Sequence, residues 1–277
     1  MSGFTIATNI GALEAYNALA KLNSKTQKAQ LRLATQKRIN SVADDTSGFN
    51  IGKSLESKVA LMQSAQKNVG SAKDMLATSE SQLVSIRDMI TQIKTKIADS
   101  GNAAADLGSL ANDVKALAEE IGNGITNTKF NDTNLLGTAA AAGFTFQTGV
   151  SSTETLAVDY ADDIASNFNT SKAEIDALSS ASTRSSFTAL ETNLNAFENT
   201  ISSSLGKVGN YMQRLDAKDD FLTSAITNSE ASVSRLFDAD VAVEQLNATK
   251  YSIGAQAATA MVAQLNFAPQ QVLQLFG

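Results

Sequence analysis

The 277-residue chain has no cysteine, no histidine and no tryptophan, and a single proline. Without thiols or imidazoles there is no Cys/His zinc site, no iron–sulfur cluster, no disulfide framework and no Ser-His-Asp triad. Any catalysis would fall to carboxylates, Lys, Tyr or Ser. No run of about 18 apolar residues occurs, so no membrane insertion is expected. The start, MSGFTIATNIGALEAYNALA, lacks a basic n-region and a continuous apolar h-region, so no cleaved secretory signal is expected either. Basic residues are in the minority, and a net charge of −6 argues against nucleic acid as a partner.

What remains suits helices packed along their length. Hydrophobic residues make up 43% and aromatics only 6%. Leu55, Met62, Val69, Leu76, Leu83, Ile90 and Ile97 recur every seven residues, and Ala65, Ala72, Ile86 and Ile93 fill positions three residues on. That heptad specifies a helix of about 70 Å at roughly 1.5 Å per residue, supercoiled left-handedly against a partner. A second series, Leu194, Ile201, Val208, Leu215, Leu222 and Leu236, breaks type only at Ser229. A shorter amphipathic stretch carries Leu110, Val114, Leu117 and Ile121. The chain thus reads as mainly α, a long antiparallel coiled-coil bundle. Between its halves, GFTFQTG and TLAVDY alternate with period two among Gly, Ser and other small residues, which predicts a small β-hairpin in an exposed insert.

Each end is a separate amphipathic helix. Ile6, Ile10, Leu13, Leu19 and Leu22 form an apolar face near the start, and Leu246, Ile253, Met261 and Leu265 form one near the finish. Pro269 can open a last short helix, followed by Val272, Leu273, Leu275 and Phe276. Lone amphipathic helices are marginal in water, so these faces must pair with each other or with other copies. Lys21, Lys25, Lys28 and Arg32 line one helix face by their spacing of four, three and four. They read as a solvated face or, more sharply, as a stripe that meets an acidic surface on another copy or a partner. Adjacent carboxylates such as Asp44–Asp45 point about 100° apart on a helix, so they imply no acid/base pair. No catalytic site, metal site or cofactor is expected.

Two motifs go beyond composition. The segment LATQKRINSVADDTSGFNIGKSLESKV, residues 33–59, and the segment SEASVSRLFDADVAVEQ, residues 229–245, running on to AATAMVAQLNFAPQQVLQLFG, resemble the two ends of bacterial flagellin. Arg38, Asn40, Asp44, Asp45 and Gly48 fit its R-I-N-S-A-x-D-D-x-x-G pattern, with Val42 in place of the usual Ala. Asp238, Asp240, Asn266 and Pro269 fit its D-A-D and Q-A-N-x-x-P-Q patterns. The family usually has a basic or polar residue before D-A-D, whereas Leu236 and Phe237 stand here.

The resemblance implies a self-assembling subunit of the extracellular flagellar filament that serves swimming motility, forming a homopolymer or a filament mixed with other flagellins. It implies terminal helices at 1–40 and 241–277 in the filament's inner core, a helical rod at 41–137 and 187–240, and an exposed β/loop insert at 138–186. Further partners implied are the flagellar export apparatus, a flagellin chaperone, and hook-junction and cap proteins. The rival readings are a hook–filament junction protein and a non-polymerising secreted coiled-coil adaptor.

Overall fold

A computed structural model describes residues 9–137, 143–161, 163–179 and 181–276, with side chains placed as far as residue 267. Among the described residues there are six helices and two small antiparallel sheets. In chain order they are α1 (Ile10–Thr35), α2 (Thr46–Asp99), α3 (Leu107–Asn127), β1 (Lys129–Phe130), β2 (Thr133–Asn134), β3 (Phe144–Gln147), β4 (Thr155–Val158), α4 (Ile164–Ala177), α5 (Arg184–Phe237) and α6 (Val241–Phe276). The chain divides into a central unit, residues 58–227, and a terminal unit made of residues up to 57 and from 228 on. The long helices α2 and α5 contribute to both.

The heptads build the central unit. Met62, Val69, Leu76, Leu83, Ile90 and Ile97 of α2 are all buried, as are Leu194, Ile201, Val208, Leu215 and Leu222 of α5. Lys94 pairs with Glu198 and Lys73 with Asp216, so α2 and α5 run antiparallel. α3 folds back along α2, with Lys96 bonded to Asp113 and Gly124 lying against Gln82. Asp106 starts α3 by accepting the amide protons of Gly108 and Ser109. Its buried side chains include Val114, Ala118, Ile121 and Ile125. Each fully buried large side chain contributes roughly 1.5–3 kcal/mol, so seams of this length dominate the stability of the unit.

The expected hairpin is present. β3 and β4 pair with Phe144 opposite Val158 and Phe146 opposite Leu156. Leu156 and Val158 turn inward, and Tyr160 beyond them is buried. Ser79 of α2 donates to the carbonyl of Met75, so it receives the Tyr160 hydroxyl at 2.6 Å. Burial raises the Tyr160 pKa, a rise partly opposed by that bond.

The stretch read as a strand-and-loop insert also holds a 14-residue helix, α4. Ile164, Phe168, Ser171 and Ile175 are its buried face. Ser171 takes a core position because its hydroxyl donates to the Asn193 carbonyl of α5. The insert therefore adds side chains to the core as well as covering it.

In the terminal unit α1 and α6 form an antiparallel pair with one unbroken register. Gly11 lies against Leu265, Leu22 against Gly254, Lys25 over the ring of Tyr251, and Arg32 beside Glu244. The residue numbers of every one of these pairs sum to 276. Ala15 and Ala29 of α1 and Ala258 of α6 are buried. Asn9 opens α1 by accepting the Ala12 amide proton, and its Nδ2 donates to the Leu265 carbonyl.

Candidate assembly surface

The pairing of α1 with α6 leaves much apolar surface uncovered. Ile10 and Leu13 on α1 are exposed, as are Leu246, Ile253 and Met261 on α6, with Leu246 at 68% and Ile253 at 61%. Tyr16, Leu31, Val243 and Phe267 join them. Leu31, Val243 and Phe267 are not among the assembly residues expected from the sequence, although a step of seven runs from Leu246 through Ile253 and Ala260 to Phe267. The expected assembly residues divide. Leu19, Leu22 and Leu265 are partly buried, and Leu22 and Leu265 face glycines of the opposite helix. Ile6, and the side chains of Pro269, Val272, Leu273, Leu275 and Phe276, lie outside the described residues.

Three residues of the basic stripe of α1 have partners within the chain. Lys25 lies 5.6 Å from the centre of the Tyr251 ring, Lys28 holds Asp44 at 2.5 Å, and Arg32 holds Glu244 at 3.0 Å. Lys21, Lys25 and Lys28 remain exposed all the same. The partners within the chain come from residues more than 200 positions away and from the loop after α1, which local spacing does not reveal.

That loop joins the two motifs. α1 ends at Gln36 in the left-handed region, with φ of 57°. Residues 36–38 then pair with 237–239: Arg38 donates its amide proton to the Phe237 carbonyl at 2.6 Å, and Ala239 donates to the Gln36 carbonyl at 2.9 Å. The Arg38 guanidinium reaches the Leu236 carbonyl. Asn40 donates through Nδ2 to the Lys37 carbonyl, and Asp44 accepts the amide protons of Asn40 and Ser41. Lys28, foremost, together with these amides holds the Asp44 pKa at about 2, against an ordinary 3.8. Asp45 accepts the amide proton of Gly48, and a methyl group on Gly48 would lie 2.4 Å from the Asp45 carboxylate.

On the other strand of the junction, Asp238 accepts the Ser234 hydroxyl and Asp240 caps α6 through the amides of Ala242 and Val243. Lys53, foremost, and Lys37 hold Glu56 below the usual carboxylate range. Phe237, the apparent departure before Asp238, is buried against Gly52 and meets Phe49 edge-on with centroids 6.2 Å apart. Asn266 is exposed on α6.

Chemically, these carboxylates cap helices, accept backbone amides or a serine hydroxyl, or neutralise lysines. Among the described residues no group of three or more Asp or Glu could hold a metal ion. No helix among them is long and apolar enough to cross a membrane. The motifs fasten a pair of helices that leave Ile10, Leu13, Leu246, Ile253 and Met261 exposed.

Residues 6–141 match the bacterial flagellin N-terminal helical region, and residues 187–276 match the bacterial flagellin C-terminal helical region. A flagellin of Bacillus subtilis (strain 168) is 31% identical, over 96% of this chain and 98% of its own. The chain belongs to the bacterial flagellin family. A flagellin of Listeria monocytogenes serovar 1/2a is 29% identical over 98% of both chains. Among solved structures, the crystal structure of Bacillus cereus flagellin aligns with 60% of this chain and 94% of that one, at 24% identity and a TM-score of 0.48. Membership in the flagellin family makes the chain a structural subunit that polymerises into the flagellar filament, an extracellular component.

Proposed function

We propose that the outward faces of α1 and α6 are the inter-subunit core through which this flagellin-family chain polymerises. The observation that carries this reading is the exposure of Ile10, Leu13, Leu246, Ile253 and Met261 on helices already paired with each other. In-chain pairing hides one face of each helix, and only further copies can cover the other. Ile6, Val272, Leu273, Leu275 and Phe276 extend the same apolar series and belong to the same core. Residues 1–40 and 241–277 form the inner part of the filament, 41–137 and 187–240 its helical shell, and 138–186 the part that meets solvent. The contacts are heterologous, so the assembly continues along a screw axis without closing.

The same reading has the chain exported through the flagellar export apparatus with a chaperone, and added between hook-junction and cap proteins. It forms a homopolymer or a filament mixed with other flagellins. It carries no catalytic role. Purified protein seeded with sheared filament fragments should grow into long sedimentable filaments, and a variant lacking residues 1–40 and 241–277 should not. Growth of the truncated protein, or failure of the full chain under seeding, overturns the proposal. Selective binding of the full chain to hook ends without growth would favour a junction protein.

A further inference from the structure

The central unit has an exposed feature of its own where the β3–β4 hairpin lies along α5. Tyr211, Arg214, Ala217, Lys218 and Phe221 fall within one third of the circumference of α5 at about 100° per residue. Phe221 is 63% exposed, more than any other large apolar residue of this unit among the described residues. Arg214, Ala217, Lys218 and Phe221, with Glu154 of the hairpin turn and Leu156 of β4, line a groove of about 510 Å³. That volume lies within the roughly 300–1,000 Å³ of small-molecule sites. The groove spans seven residues of α5, about 10 Å at 1.5 Å per residue.

The two cations of the groove have no carboxylate partner among the described residues. Asp216 and Asp219, their acidic neighbours in sequence, hold Lys73 on the side of α5 turned to α2. Arg214 instead lies 5.5 Å from the centre of the Tyr211 ring, and Lys218 lies 6.0 Å from that of Phe221. A ring face attracts a cation yet leaves most of its N–H groups unbonded. The carboxylate in the groove, that of Glu154, accepts the Ser151 amide proton at 2.8 Å. Two cations against one carboxylate leave the groove positive, in a chain whose net charge is −6. The Thr148 amide and hydroxyl both donate to the Glu154 carbonyl, so the polar groups of the turn are already occupied. An occupant therefore meets apolar surface and positive charge, but few of the free hydrogen-bonding groups that a sugar or an extended peptide requires.

We propose that this groove binds an anionic amphiphile, its acyl chain laid over Leu156 and Ala217 against the Phe221 ring and its carboxylate, sulfate or phosphate head held by Arg214 and Lys218. Covering the exposed ring supplies the main attraction, and the charge-assisted contacts fix which end of the ligand lies where. The site is independent of the polymerisation reading, because all its residues belong to the central unit and none to the exposed faces of α1 and α6. Free fatty acids and anionic membrane lipids share this chemistry.

The test uses the full chain and a photoactivatable diazirine derivative of dodecanoate, below its micelle concentration. After irradiation and digestion, mass spectrometry reads the label in residues 144–158 and 211–222, separately from that in α1 and α6. Label in those two segments should be displaced by plain dodecanoate and not by dodecyltrimethylammonium. It should fall at least about tenfold in Arg214→Gln/Lys218→Gln and in Phe221→Ala, and largely persist in Arg214→Lys. All these positions are exposed or half-buried, and circular dichroism should show the helicity of each variant unchanged. Vesicles of phosphatidylglycerol that compete as well as dodecanoate would make a membrane lipid the source, and vesicles that do not compete would make it a free amphiphile; either supports the site. Label confined to α1 and α6, equal displacement by the cationic amphiphile, or undiminished label in the double variant overturns the proposal. So does displacement by polyglutamate as complete as that by dodecanoate, which would mark a site for an acidic peptide.

Discussion

Gly52 in α2 and Phe237 at the end of α5 meet without a gap: a methyl group on Gly52 would lie 2.1 Å from Cε2 of Phe237. Substitution of Gly52 by Ala must therefore push the ring off its seat, and overpacking of this kind costs about 1–3 kcal/mol. Amide exchange in residues 36–57 and 234–240 should speed up, while the central unit keeps its protection. Unchanged exchange in those segments would show that the ring has room to move.

Asp44 sets an acid limit on the junction. Its carboxyl titrates at about 2 when folded, against 3.8 ordinarily, so it favours the folded state above pH 4. That contribution fades as pH falls from about 4 towards 2. Asp44→Asn should destabilise the junction by about 1–2 kcal/mol at pH 7, because the Asn40 and Ser41 amides and Lys28 lose a charged acceptor. It should also flatten the fall in stability between pH 4 and 2. Denaturant midpoints of the two proteins measured across that range decide the matter, and parallel pH curves would count against Asp44.

Legibility in the sequence varies with sequence separation. Periodicity announces a heptad position by itself, so Val69, Leu76, Ile201 and Val208 are readable as core from their spacing alone. The β3–β4 hairpin is readable from its alternation. α4 is not, because its buried face of Ile164, Phe168, Ser171 and Ile175 has a serine at one position and a polar surround. The contacts of Gly52 with Phe237 and of Arg32 with Glu244 depend on where the ends meet, and that of Lys28 with Asp44 on how the loop after α1 turns back. No local pattern carries that information, though the two motifs mark the regions that hold it.

Two substitutions at the chain's ends should separate folding from assembly. Ile253→Asp changes an exposed residue, so the monomer's helicity should be unaffected while filament growth is lost. Leu265→Asp instead places a carboxylate against Gly11 at the in-chain seam, and should loosen α1 from α6 in the monomer as well. Circular dichroism and sedimentation of both variants distinguish the two effects. Equal loss of helicity in both would mean that Ile253 is not an outer residue.

Gly70 in α2 and Gly206 and Gly209 in α5 are interior helix glycines, and a methyl group at any of them would meet nothing within 4 Å. Each to Ala should stabilise the central unit by about 0.5–1 kcal/mol, seen as a higher thermal midpoint. A lower midpoint for any of them would point to a backbone constraint that the open surroundings do not show.

The constant pairing of α1 with α6 restricts how this chain can change length. One residue inserted into either helix would swing everything beyond it by about 100° and turn its buried face away from the partner helix. Insertions and deletions there are tolerable only in whole heptads matched on both helices, more than 200 positions apart in the gene product. The turn of the β3–β4 hairpin, residues 148–154, answers to no such distant register, and a change of length there costs only local hydrogen bonds such as that from the Thr148 amide to the Glu154 carbonyl.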